Sequence, residues 1–219
     1  MNKSRTDFAS ATLLNKIYAC GGYDAQYESL GTAEVYDPVL NVWGFLPNMT
    51  KKRDCATSVA FKNKVYVIGG HDGDQTLTSV EIFNPATNEW SFGPALQVPR
   101  IGAKAIVYTD KIFVIGGWET YLSRSPMKTV EVYDPLVSAN WIVQEQQLTV
   151  GRSYFAVTLL DNKILISGGE TSRYDEVTEK CETYDNLEWK ETGPLLTARK
   201  GHAAVTLDDY TLNHKDFLE

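Results

Sequence analysis

The chain has 219 residues, 43% of them hydrophobic and 22% charged, with a formal net charge of −7. That balance is ordinary for a globular protein and lacks the basic excess that a nucleic-acid-binding face requires. Its apolar stretches are far shorter than a membrane span, and the polar start Met1–Asp7 leads into no hydrophobic signal region.

The predicted elements fall into repeats. Arg5 opens the first unit (about 5–46), with an apolar run at Ile17–Cys20, a pair at Gly21-Gly22, the line Glu34-Val35-Tyr36-Asp37-Pro38, and Trp43. The second (53–93) repeats this order with Arg53, Val65–Ile68, Gly69-Gly70, Glu81-Ile82-Phe83-Asn84-Pro85 and Trp90. The third (100–144) has Arg100, Ile112–Ile115, Gly116-Gly117, Glu131-Val132-Tyr133-Asp134-Pro135 and Trp141. The fourth (152–192) has Arg152, Ile164–Ser167, Gly168-Gly169, Glu182-Thr183-Tyr184-Asp185-Asn186 and Trp189. A partial fifth (199–207) begins at Arg199, but where glycines are due the chain has Lys215-Asp216, so 208–219 is an off-pattern tail. The glycine pairs are 48, 47 and 52 residues apart, the period of a repeat architecture.

Residues 54–93 show what one unit is. Cys55–Phe61 is a short apolar segment, Lys62-Asn63-Lys64 a polar turn, and Val65–Ile68 a run suited to a buried strand. Val80–Phe83 alternates as a third strand, Asn84–Asn88 is an Asx- and proline-built turn, and Glu89–Phe92 is a fourth strand. Four antiparallel strands in this length make one blade of an all-β propeller, which must stack on neighbours to bury both faces. Paired glycines suit close backbone approach at a crowded strand end. The tryptophans are wedges between blades whose N–H seeks a backbone partner, and the arginines and the acids of the units (Glu34, Glu81, Glu131, Glu182) are expected to form either a repeated ion pair or a backbone contact. Because these features recur in every unit, we read them as structural. Four blades plus one strand predict an incomplete ring, with self-association through open blade faces.

The order arginine, strand, Gly-Gly, Glu-x-Tyr-Asp-Pro, tryptophan resembles the kelch repeat and covers residues 5–207. The wording is most similar to the kelch-like adaptors, whose full chains also carry BTB and BACK domains, regions without a counterpart in these residues. The resemblance implies recruitment of a substrate to a cullin-RING ubiquitin ligase. The alternative it implies is an actin or cytoskeletal scaffold, and a less favoured one a small-molecule propeller enzyme.

One rim of such a propeller carries the loops after Gly-Gly and those entering each first strand. The post-glycine loops differ between units and supply the candidate partner-binding residues. They are Tyr23, Asp24 and Tyr27, then His71, Asp72 and Asp74, then Trp118, Glu119, Tyr121 and Arg124, and finally Glu170, Arg173 and Tyr174. Aromatic side chains with an occasional arginine suit a protein-binding centre, and rigid scaffolds carry function on loops. With Glu28, Asp175 and Glu176 included, these loops hold eight acids against two arginines, which predicts a protein or peptide ligand bearing basic residues. No catalytic residue, metal site or cofactor is expected. His71 and His202 with Tyr23 or Tyr174 are a thin match to a copper site; Cys55 is read as a plain small strand residue, the alternative being a reactive thiol whose pKa Lys51, Lys52 and Arg53 lower. Cys20, Cys55 and Cys181 lack CxxC spacing, which points to a reducing compartment: the cytoplasm, with the nucleus or cytoskeleton in the same space.

Overall fold

The computed structural model describes residues 1–123 and 125–206. Among the described residues, sixteen strands form four sheets of four. The first blade is β1 (Ala9–Leu13), β2 (Lys16–Cys20), β3 (Ala33–Asp37) and β4 (Val42–Phe45). The second is β5 (Thr57–Phe61), β6 (Lys64–Ile68), β7 (Val80–Asn84) and β8 (Glu89–Phe92). The third is β9 (Lys104–Tyr108), β10 (Lys111–Ile115), β11 (Val130–Tyr133) and the two-residue β12 (Ile142–Val143). The fourth is β13 (Ala156–Leu160), β14 (Lys163–Ser167), β15 (Cys181–Tyr184) and β16 (Trp189–Thr192). Every pairing is antiparallel between consecutive strands, and β1, β5, β9 and β13 stand side by side around a central channel. This is the predicted all-β propeller of four-stranded blades.

Local chemistry explains the turns. The β1–β2 type of connection places both central residues at positive φ, as at Lys62 (47°) and Asn63 (59°), the conformation whose twist suits a two-residue hairpin. At the turns between the third and fourth strands of each blade, the β3–β4 type, an Asp or Asn side chain accepts an amide hydrogen bond from two residues on, as Asp134 Oδ1 does from Leu136 N at 3.0 Å between β11 and β12.

The arginines and acids form one buried device in each blade. Arg53 donates to the Gly69 and Ser79 carbonyls and to Glu81 at 2.9 Å, while Glu81 also accepts from the amides of Thr50 and Lys51. The pair therefore staples the incoming linker to the third strand of its own blade. Arg5–Glu34, Arg100–Glu131 and Arg152–Glu182 repeat the contact. Burial lowers the Arg53 and Arg100 pKa values, with the facing glutamates opposing that shift.

The glycine pairs serve the blade-to-blade joints. A Cβ on Gly69, at φ +64°, would lie 2.6 Å from the Arg100 carbonyl oxygen, and Gly70 N donates to that same oxygen. Each repeat tryptophan (Trp43, Trp90, Trp141, Trp189) packs on the third-strand aromatic of its own blade, with centroids 5.1–5.4 Å apart, tilted in the first three blades and stacked in the fourth. Trp90 and Trp141 also donate from Nε1 to the Pro47 and Pro94 carbonyls of the preceding blade's exit, which is the expected wedge.

Two places depart from the sequence expectation. Arg199 does not repeat the buried device: its side chain is exposed and its Nε donates only to the Thr197 carbonyl. The reason is that among the described residues no third strand stands beside it to supply a glutamate, although its backbone still accepts from Gly169 N at 2.8 Å. Residues 200–206 carry no strand pairing but lie along the channel, with His202 Nε2 3.1 Å from Ser167 Oγ and Thr206 Oγ1 bonded to Leu159 O. Leu207 and the tail 208–219 lie outside the described residues. On the first blade Ile17 is 42% exposed, whereas its counterparts Val65, Ile112 and Ile164 are fully buried against a preceding blade. Burying such a side chain is worth about 1.5–3 kcal/mol, so this face is unspent apolar surface.

Candidate functional site: the glycine-loop rim

Antiparallel pairing puts the β2–β3 loops and the inter-blade linkers at one end of the strands and the β3–β4 turns at the other. At the first end, the position two residues after each arginine builds a belt around the axis. Cys55 N donates to Asp7 O, Gly102 N to Cys55 O, Tyr154 N to Gly102 O, and Gly201 N to Tyr154 O, at 2.7–2.9 Å. All five residues have positive φ, 48° at Cys55 and 49° at Asp7 and Tyr154. A left-handed conformation costs a non-glycine residue about 1–2 kcal/mol. Here the belt's hydrogen bonds hold it, and it directs the Asp7, Cys55 and Tyr154 side chains to the mouth of the ring. The belt's glycine at 102 has a steric reason as well: a Cβ there would sit 2.9 Å from Tyr154 Cζ. Tyr154 thereby crosses over Gly102 and donates to Cys55 Sγ at 3.5 Å.

Two cavities open on this mouth and share Asp7, Tyr121 and Tyr154 as a common wall. The larger, about 610 Å³, adds Trp118, Glu170, Arg173, Lys200 and Gly201. The smaller, about 370 Å³, adds Tyr23, Tyr27, Asp54 and His71 among its walls.

Most residues expected at the rim are there, in different roles. Tyr27 (83% exposed) and Tyr174 (80%) stand free at the surface, with Glu119 and Asp74 also exposed. Tyr27 stacks on the half-buried Tyr23 at 5.6 Å, and His71 meets Tyr121 edge-on at 4.9 Å. Trp118 is not an exposed anchor: it is 5% accessible, bridged to Ile101 and packed with Cys55, so only part of it faces the larger cavity. Glu170 is likewise buried and paired with Lys200 at 2.9 Å. Arg173 is exposed on the larger cavity, and Arg124 lies outside the described residues.

Several rim acids are already committed. Asp24 lies 3.6 Å from Lys3, and the amide of Glu28 holds its carboxyl below the usual range. Burial works against the Asp72 charge, but the amides of Gln75 and Asp74 prevail and lower its pKa. Lys200 bridges Glu170 and Asp175 and lowers the Asp175 pKa. The Cys55 thiol is pushed up to about 12 by burial, with the Tyr154 hydroxyl opposing. The neighbouring cations do not lower it, because Arg53 is turned to Glu81 and the Gly69 and Ser79 carbonyls. His71 sits on the rim and His202 in the channel, so the two do not converge. Among the described residues no cluster of three or more His, Cys, Asp or Glu is placed to hold a metal ion. Among the same residues no helix is long and apolar enough to cross a membrane.

Sequence reasoning missed Asp7, Asp54, Tyr154 and Lys200 as cavity-lining residues. The signal was present in Arg5-Thr6-Asp7, Arg53-Asp54-Cys55, Arg100-Ile101-Gly102, Arg152-Ser153-Tyr154 and Arg199-Lys200-Gly201. The residue two beyond each recurring arginine varies and builds the belt, which places Asp7 and Tyr154, while Asp54 and Lys200 directly follow their arginines.

Four stacked antiparallel blades with a variable loop rim define a β-propeller built to present loops. The chain belongs to the kelch-repeat family, since residues 2–169 match the family described as the KLHDC2/KLHL20/DRC7 Kelch-repeats domain. It is similar to an F-box/kelch-repeat protein of Arabidopsis thaliana, 40% identical over 67 residues, covering 31% of this chain and 18% of the relative. A kelch repeat and BTB domain-containing protein of Caenorhabditis elegans is 44% identical over 69 residues, 31% of this chain and 12% of the relative. The matched segment thus spans under a fifth of either relative. The solved structure of YjhT has the same fold, with a TM-score of 0.78 at 16% identity over 92% of this chain and 74% of its own.

Proposed function

We propose that the glycine-loop rim binds a protein partner and that the chain thereby recruits a substrate to a cullin-RING ubiquitin ligase. The observation carrying this reading is the contrast between an invariant buried frame and a rim where exposed tyrosines surround two adjoining cavities. Exposed aromatics on a rigid base anchor partners at little entropic cost. The adaptor role is supported by relatives whose names pair kelch repeats with F-box or BTB domains. The rim acids that lack a lysine partner favour a partner segment carrying basic residues. Three free, buried cysteines fit action in the cytoplasm.

The test is affinity capture from cells with and without a proteasome inhibitor, comparing the wild-type chain with a Tyr27→Ser/Tyr174→Ser variant. The reading expects partners that accumulate with the inhibitor and are lost from the variant. Partners retained equally by both proteins would refute the rim. Partners indifferent to the inhibitor would refute the ligase role.

A further inference from the structure

We propose that the smaller rim cavity is a socket for a side-chain cation, a lysine or arginine of the partner, with tyrosine rings as its walls and Asp7 and Asp54 as counter-charges. This rests on the rim being the partner surface and names the chemistry that one part of it selects.

Three observations converge on a cation. The walls are aromatic: Tyr23, Tyr27, Tyr121 and Tyr154 line about 370 Å³ of space. Their rings are held in place by the Tyr23–Tyr27 stack, the His71–Tyr121 edge contact and the Tyr154–Cys55 hydrogen bond. Aromatic faces attract cations through their quadrupole, most strongly where water is displaced. The second observation is charge. Asp7 and Asp54 both line the cavity, and among the described residues no lysine or arginine does. Elsewhere on the rim, Asp24, Glu170 and Asp175 already face a lysine. Ser29 Oγ donates to Asp54 Oδ2 at 2.5 Å, which fixes that carboxylate at the wall. Lys104 lines the channel below, where the Asp7 charge still acts on it, and Arg173 and Lys200 line the adjoining cavity that shares Asp7; none of the three lines the smaller cavity itself.

The third observation is the backbone of the floor. Free backbone N–H groups are a common anion-binding device, and here they are already bonded. The amides of Cys55, Gly102 and Tyr154 are bonded along the belt, and Asp54 and His71 exchange both of theirs. The floor therefore offers an anion no backbone amide among these residues, whereas a cation meets two carboxylates among tyrosine side chains.

The test uses the full chain, ¹⁵N-labelled, titrated with Nα-acetyl-lysine methylamide, its Nε-acetylated form and the norleucine analogue, with tetramethylammonium as a free cation. The lysine probe is expected to shift the amides of Tyr23, Cys55, Tyr121 and Tyr154, and the two neutral probes to leave them in place. Asp7→Asn, which keeps a residue tolerant of positive φ, and Tyr121→Leu should each weaken the lysine probe by about tenfold, equivalent to ~1.4 kcal/mol. Equal shifts from norleucine, unchanged affinity in Asp7→Asn, or binding of tetramethylammonium without the lysine probe would each overturn the proposal. Its failure is separable from that of the rim itself. A captured partner that survives Asp7→Asn and Tyr121→Leu but is lost with Tyr174→Ala keeps the rim and overturns the socket.

Discussion

Arg100 and Arg199 hold the same repeat position, each two residues before a glycine, but occupy opposite environments, so removing each side chain separates motif from structure. Arg100→Ala deletes hydrogen bonds to Glu131, the Gly116 and Thr129 carbonyls and Thr129 Oγ1, at 2.7–3.0 Å. It leaves the Glu131 carboxylate fully buried, with only the amides of Gln97 and Val98 as donors. Breaking a buried pair from one side costs about 3–5 kcal/mol, because the surviving charge stays desolvated. Arg199→Ala removes an exposed side chain bonded only to a local carbonyl, and such changes fall within about 0.5 kcal/mol. In urea, with a slope of ~2 kcal/mol per molar, the first variant should lose roughly 1.5–2.5 M of midpoint and the second under ~0.3 M. Arg100→Lys, which keeps the charge but not the fork, should fall between them. Equal midpoint losses for Arg100→Ala and Arg199→Ala would refute the reasoning.

Three further outcomes follow from the same geometry. Gly69→Ala forces a Cβ against the Arg100 carbonyl at positive φ and should cost roughly 2–4 kcal/mol, whereas Gly44→Ala, with nothing within 4 Å, should be near neutral; similar melting losses would contradict the blade-joint account. Cys20 and Cys55, both pushed up to about 12 by burial, should react with a disulfide reagent at neutral pH far more slowly than in denaturant, and a fast native Cys55 would count against its placement. Burial lowers the His202 pKa, with Arg199 and Lys104 adding to it, so folding favours the neutral ring over the charged one. The stability it contributes is present above the unfolded value of about 6.5 and is lost as pH falls through the lower folded value. An imidazole titration midpoint above 6.5 would contradict this.

The frame was legible in the sequence because each of its parts is a local rule repeated. Val65–Ile68, the glycine pair after it and the Asx turn at Asn84 announce a strand, a joint and a hairpin without tertiary information. The arginine–glutamate pairing was also legible, since both residues recur at fixed phase. The site was legible only in part. Loop membership placed Tyr27, Tyr121 and Tyr174 on the rim, but it did not show that Trp118 turns inward against Ile101 or that Glu170 is spent on Lys200. Those facts depend on contacts between residues far apart in sequence or in different repeats. Asp7 and Tyr154 escaped for another reason: their side chains reach the axis only because the belt holds them at positive φ, a conformation that no propensity favours for tyrosine. Arg199 shows the converse, where a motif is intact in sequence but the strand that would bury it is absent from the described residues.

The central claim is that the glycine-loop rim, and not the far end of the strands, binds the partner. Both ends expose apolar side chains: Tyr27, Tyr121 and Tyr174 on the rim, and Val39, Leu136 and Leu187 at the opposite β3–β4 turns. The direct measurement is the Kd of one captured partner for the wild-type chain and for two triple-serine variants, one at each end. The account predicts a loss of ~30-fold or more for the rim variant, corresponding to at least ~2 kcal/mol from its aromatic anchors, with the turn variant unchanged. The reverse pattern, with affinity lost from the turn variant and kept by the rim variant, would contradict it.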